Sequence, residues 1–150
     1  MQQCPENKEN INKDAINLRA AFLHYKDELN LPYLHSFPQN SCQIASYLFA
    51  KIMHDKYPAS NIRIIEGTDY KNAESHFWVL VDGYVYDLTS DQFDGIDAPL
   101  IGAIENILAA RFTIAKSSPL QDFLNGSHLG SEAQQLNAIH LLKTDRGLHD

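Results

Sequence analysis

Three residues of this chain, Cys42, His76 and Asp87, stand in an order that suits nucleophilic catalysis. A thiol that attacks a carbonyl needs a base to take its proton and an acid to orient that base. Cys42 follows Pro38-Gln39-Asn40-Ser41 and precedes an apolar-periodic stretch, which predicts a thiol in the first turn of a helix. Unsatisfied amide N–H groups and the positive end of the helix dipole favour the thiolate there. The same N–H groups, that of Cys42 above all, point to where an oxyanion develops, and Gln39 and Asn40 are candidates for a second donor. His76 is the expected base and later proton donor, and Asp87 the group that fixes its tautomer. His35, in the loop before Cys42, is a second candidate for the base. Trp78 shares the face of His76 and reads as core or pocket wall before it reads as a substrate contact.

A hairpin can position the second and third of these residues. His76–Val81 and Tyr84–Leu88 flank Asp82-Gly83, a strong signal for a two-residue turn. Alternation puts His76, Trp78 and Leu80 on one face of the first arm, and Val85 and Asp87 on one face of the second. His76 and Asp87 then fall within about two residues of direct opposition, a diagonal of roughly 7–8 Å that side chains can close. A lone cysteine is more often a small buried hydrophobe. The order of the three residues, with two of them across a hairpin, turns the reading toward catalysis.

The surrounding elements follow from periodicity. Ile11, Ala15, Leu18, Phe22, Tyr25 and Leu29 recur at helical spacing, with Asn30 and Pro32 as the stop. Residues 1–10 read as polar and frayed. Ser41 is the expected N-cap of a helix with Ala45, Leu48, Phe49, Ile52 and Met53 on its core stripe, ending before Tyr57-Pro58. Ile62–Ile65 reads as a strand, Thr68–Ser75 as a loop, and Pro99–Ile104 as a further short strand. Ile107–Ala115 fits helix or strand. Ser118-Pro119 is expected to open a short helix with proline at its first position. Ser131 and Gln134 form a capping box before Leu136, Ile139, His140 and Leu142, and 144–150 is a tail. Helices followed by an antiparallel sheet and further helices make the chain α+β, one domain over 1–150.

At 150 residues, 44% hydrophobic and 21% charged, the composition is that of a globular protein with no bilayer-spanning run, and the polar, charged stretch from Met1 to Asp14 is expected to carry no secretory leader. Two cysteines make a disulfide framework improbable and a cytoplasmic setting the simplest, with export as an effector still open. The net charge of −7 is concentrated: between Glu66 and Asp97 eight acids face Lys71 alone, leaving 11 acids and 11 bases elsewhere from totals of 19 and 12. Such a segment repels phosphate backbones, so no nucleic-acid partner is expected; a neutral or cationic substrate suits it better. Asp91, Asp94 and Asp97 do not have EF-hand spacing, and the histidines have no metal-ligand spacing, so neither metal nor cofactor is expected.

Phe37-Pro38-Gln39-Asn40-Ser41-Cys42, Ser75-His76-Phe77-Trp78-Val79-Leu80-Val81-Asp82-Gly83, Tyr86-Asp87-Leu88-Thr89 and Asp91-Gln92-Phe93 together resemble the transglutaminase-like cysteine enzymes of papain-like fold. These include transglutaminases, peptide N-glycanases, arylamine N-acetyltransferases and small bacterial peptidases. The resemblance spans about residues 37–101. It implies that Cys42 is the nucleophile, His76 the base and Asp87 its orienter, with a protein, a peptide or a small amide as substrate. The chain lacks the glycine-rich surroundings of the cysteine in the acetyltransferases and the tryptophan beside it in many transglutaminases. Peptide or amide hydrolysis through a thioester is the leading expectation. A deamidating or transglutaminating effector or toxin, and a catalytically silent binding or regulatory relative, are the alternatives.

Overall fold

The computed structural model describes residues 5–29, 31, 34–123 and 131–144. Cys4, the expected helix stop at Asn30 and Pro32, His128 and residues 145–150 lie outside the described residues. Cys42 is a free thiol.

Strands β1 (Ile62–Asp69), β2 (Glu74–Val81), β3 (Tyr84–Asp87), β4 (Leu100–Ala103) and β5 (Thr113–Pro119) form one antiparallel sheet in the spatial order β4-β3-β2-β1-β5. Helices α1 (Pro5–Tyr25), α2 (Cys42–Lys56), α3 (Leu120–Phe123) and α4 (Glu132–Thr144) complete an α+β architecture. Among the described residues no helix is long and apolar enough to cross a membrane.

The hairpin forms as its turn signal predicts. Val81 pairs with Tyr84, and Asp82 and Gly83 take φ of 51° and 89°, the two positive values that a twisted two-residue turn requires. The β1–β2 connection differs from expectation. Instead of a loop over 68–75, β1 runs to Asp69 and β2 begins at Glu74. The Asp69 carboxylate accepts the Lys71 and Asn72 N–H groups, closing a short turn that polar composition alone reads as a long loop. Hydrogen bonds from Asn72 and Arg111 hold that carboxyl down to about 2.

Residues 5–10, expected to fray, are the first turns of α1, which ends at Tyr25 rather than near Leu29. Leu29 is nonetheless buried, carried by a turn whose N–H groups at Glu28 and Leu29 bond the Tyr25 carbonyl. The ambiguous 107–115 segment resolves into a 3-10 turn over Ile107–Ala110 and the start of β5. Pro119 is the last residue of β5, opposite Arg63, and α3 begins one residue later. On an edge strand the missing N–H of proline costs no ladder bond, which is why the expected helix start is a strand end. The capping box of α4 is present in both directions, Gln134 N to Ser131 Oγ at 3.1 Å and Ser131 N to Gln134 Oε1 at 2.8 Å. Ser41 sits at the N-cap position of α2 without a side-chain cap; its hydroxyl donates instead to the Gln39 carbonyl.

The sheet is covered on both faces. On one, α2 lays Ala45, Leu48, Phe49, Ile52 and Met53 against Ile62, Ile64, Val79 and Val81, and α1 adds Ile11, Leu18 and Phe22. On the other, Ile65, Trp78, Val85, Leu108 and Phe112 form a smaller, more aromatic core roofed by the chain between β3 and β5.

Candidate active site

The hairpin register decides where His76 and Asp87 meet. Val79 opposes Tyr86, so one further step sets Asp87 opposite Trp78, and His76 is its diagonal neighbour on the same face. His76 and Asp87 are 0% and 1% exposed, and His76 Nε2 lies 2.7 Å from Asp87 Oδ2. An ionised carboxylate can only accept, so the shared proton resides on Nε2 and Nδ1 is left for the thiol. Asp87 Oδ2 also accepts from Asn106 Nδ2 at 2.9 Å, and Oδ1 from the Thr89 N–H at 3.3 Å.

Cys42 reaches the ring around the margin of the sheet. It belongs to the α2 side, whereas His76 points to the opposite face. β3 ends at Asp87, so beside His76 strand β2 keeps β1 as a neighbour, through Gly67, but has no strand on its other side. The segment leading into α2 lies at that open edge, tied to the turn after β3 by the Asn40 N–H to Gln92 Oε1 contact of 3.3 Å. The buried Nδ1 has no hydrogen bond of regular geometry. The Cys42 side chain nevertheless lies near enough to strengthen the hold of the ring on its proton. Catalytic pairs are commonly this loose before substrate tightens them.

Opposing forces set the charge of the ring. Burial disfavours the imidazolium, but the Asp87 carboxylate and the Cys42 side chain outweigh it and push His76 up to about 9. The ring stands in an aromatic cage: Phe93 edge-on at 4.9 Å, Phe112 at 5.4 Å and Trp78 at 5.7 Å. Gly67 makes room for the cage, because a Cβ there would lie 2.8 Å from the Phe112 Cβ and 2.9 Å from the Trp78 ring. Arg111 caps it from outside, 4.7 Å over Phe112 and 5.3 Å over Phe93.

The thiol opens on a cleft of about 350 Å³ lined by Asn40, Cys42, Gln43, Ile44, Ser75 and Phe77. Of the residues expected to contact substrate, Asn40 is on this wall, in a left-handed conformation (φ 55°), with its backbone N–H already taken by Gln92. Gln39 is not on it; its carbonyl accepts the Ser36 and Ser41 hydroxyls in the loop. Trp78 is not on it either, because alternation turns its ring into the aromatic core behind His76. Gln43, one residue past the cysteine, takes the place expected of Gln39.

Sequence reading missed two further residues. Asn106 caps the 3-10 turn over Ile107–Ala110 through the Leu108 N–H at 2.8 Å and spends its amide on Asp87. An asparagine before Ile107-Leu108 is a local cap signal, but nothing in sequence ties it to a carboxylate 19 residues earlier. Arg19 of α1 donates to the Leu88 carbonyl, pairs with Asp91 at 2.5 Å and covers Phe37 at 5.4 Å. It therefore clamps the chain after Asp87 to the loop before Cys42. The arginine pairing also accounts for Asp91, and no cluster of three or more His, Cys, Asp or Glu among the described residues is placed to hold a metal ion. His35, the second candidate base, is exposed in the preceding turn.

No family model matches the chain, and neither a curated protein nor a solved structure matches it.

Proposed function

We propose that the protein is a cysteine-dependent amide hydrolase working by acyl transfer through a thioester, of the transglutaminase-like and papain-like kind that residues 37–101 resemble. The observation that carries this reading is the buried 2.7 Å contact between His76 and Asp87 with the Cys42 thiol beside the ring. Burying an ionisable pair in an aromatic cage is costly and contributes little to stability by itself. Opening its far end onto a nucleophile at a helix start gives that cost a use.

His76, raised to about 9 by Asp87 and the Cys42 side chain, is the group that takes the thiol proton at Nδ1 and holds it. Cys42 Sγ attacks the amide carbonyl carbon; a C–S bond forms and the π pair moves onto oxygen, toward the N–H groups in the first turn of α2. Collapse of the adduct breaks the C–N bond as the Nδ1 proton of His76 passes to the leaving nitrogen. Water then gives a proton to Nδ1, adds to the thioester and expels the thiolate, releasing a carboxylic acid. An amine in place of water makes the same machinery a transamidase, and a side-chain amide in place of a backbone one makes it a deamidase. A protein, a peptide or a small amide suits the cleft.

The test is the pH dependence of Cys42 alkylation by iodoacetamide, in a Cys4→Ser background so that one thiol reports. Labelling well below pH 8 is expected, with loss of that low-pH reactivity in His76→Ala. Reaction only at the pH of an ordinary thiol, unchanged by the histidine substitution, overturns the reading.

A further inference from the structure

A second cavity, of about 330 Å³, adjoins the cleft and shares Gln43 and Phe77 with it. The register builds its floor. Phe77 on β2 opposes Glu66 on β1, and Glu66 opposes Lys116 on β5, so the three stand in a row across three strands on the α2 face. Asp122 and Phe123 of the short helix α3 wall the far side, with the Phe123 ring edge-on to Phe77 at 5.8 Å and stacked on Tyr47 at 6.4 Å. Cross-strand neighbours of opposite charge commonly pair. Among the described residues, however, no ion pair takes in Glu66, Lys116 or Asp122. Two carboxylates and one ammonium thus surround two aromatic faces, one cavity away from the nucleophile.

We propose that this cavity is a specificity subsite for a cationic side chain, lysine or arginine, flanking the amide that Cys42 attacks. Its aliphatic stem lies on Phe77 and Phe123, and its charged head meets Glu66 and Asp122, an arrangement in which aromatic face and carboxylate both favour a cation. Lys116 sets the limit of the preference, since it opposes the same head group and tempers the pull of the two acids. The inference rests on the cysteine-enzyme reading above and names its substrate class.

Short iodoacetyl peptides carrying Lys, Gln or Glu test it, because alkylation needs only the thiol: a C–S bond forms and iodide leaves. The second-order rate at Cys42 is measured for each probe in the Cys4→Ser protein at pH 7, beside plain iodoacetamide. The Lys probe should react fastest and the Glu probe slowest. Glu66→Gln and Asp122→Asn should each cut the Lys-to-Glu ratio about five-fold, the size of one moderate ion pair. Lys116→Gln should raise the ratio by a similar factor. All three should leave the iodoacetamide rate as it was, which also reports an intact fold. Asp94→Asn, an equal charge change at an exposed site away from the cavity, should leave the ratio unchanged. An unreactive Cys42 toward iodoacetamide sinks the enzyme reading itself. A reactive Cys42 with no preference among probes, or a preference that Asp94→Asn lowers as much as Glu66→Gln does, sinks the subsite alone.

Discussion

The two faces of the sheet are built on different terms. The α2 face is broad and aliphatic, fastened by α1 and α2, and carries the half-exposed thiol with its cleft. The opposite face is small and aromatic and hides a histidine and a carboxylate from water. An apolar core stabilises by burying area and tolerates exchange of like for like. The aromatic core instead holds polar groups whose value depends on orientation and on the exclusion of water. On the proposed function, that division keeps the nucleophile where substrate would arrive and its proton carrier where water does not reach.

That contrast predicts a hierarchy of effects. The largest comes from His76→Ala, which should lower acyl transfer by about 10³-fold or more. It also strands the Asp87 charge in the cage, costing about 3–5 kcal/mol in a denaturant titration. Full activity in this variant would show that the aromatic face is only structural. Asp87→Asn should follow, lowering the rate by about 10²- to 10³-fold. It should also drop the high-pH limb of kcat/KM from near 9 toward the ordinary histidine value. Because His76 is raised by folding, the stability it adds is complete below about pH 6.5 and is lost as pH rises through about 9. Thermal melts of the native chain should fall over that window, and those of Asp87→Asn should fall less.

Smaller effects separate the faces. Leu48→Ala, in the α2 core, should cost about 2–5 kcal/mol and leave the pH profile of surviving activity unchanged. Gly67→Ala, against Phe112 and Trp78, should cost about 1–3 kcal/mol and shift that profile, because the cage must move. Equal profiles in these two variants would dissolve the distinction between faces. The smallest expected effect is Asn106→Ala, about a ten-fold loss in rate with a displaced alkaline limb, since Asp87 keeps the Thr89 N–H and His76 but loses the amide that holds its shared oxygen.

Much of this arrangement is legible along the chain because its signals are local. The start of α2 at Cys42, the two-residue turn at Asp82-Gly83 and the diagonal placing of His76 and Asp87 each follow from a few neighbouring residues. What escaped is carried by distance or by competition. β5 is a polar edge strand, Thr113–Pro119, whose pattern is weak because only one side of it pairs. Trp78 falls behind the histidine rather than on the cleft because both faces of β2 are buried, so alternation no longer separates inside from outside. Asn106 and Arg19 act on residues 19 and 72 positions away, and no periodicity spans such gaps. The α+β class was readable; the closing of the site was not.

The clamp made by Arg19 has a consequence for how the chain can be divided. The stretch from Phe37 to Ile101 contains every residue of the proposed triad. It leaves behind Arg19, the Asn12 that bonds the Tyr86 hydroxyl, Asn106, Phe112 and all of β5. A fragment cut at those ends would hold the chemistry but not the framework, with one edge of β1 bare and the cage around His76 open to water. The motif is therefore not expected to fold by itself. The part of the chain synthesised first must wait for the hairpin it secures, and helix and hairpin supplied as separate pieces would have to find each other before the histidine became dry.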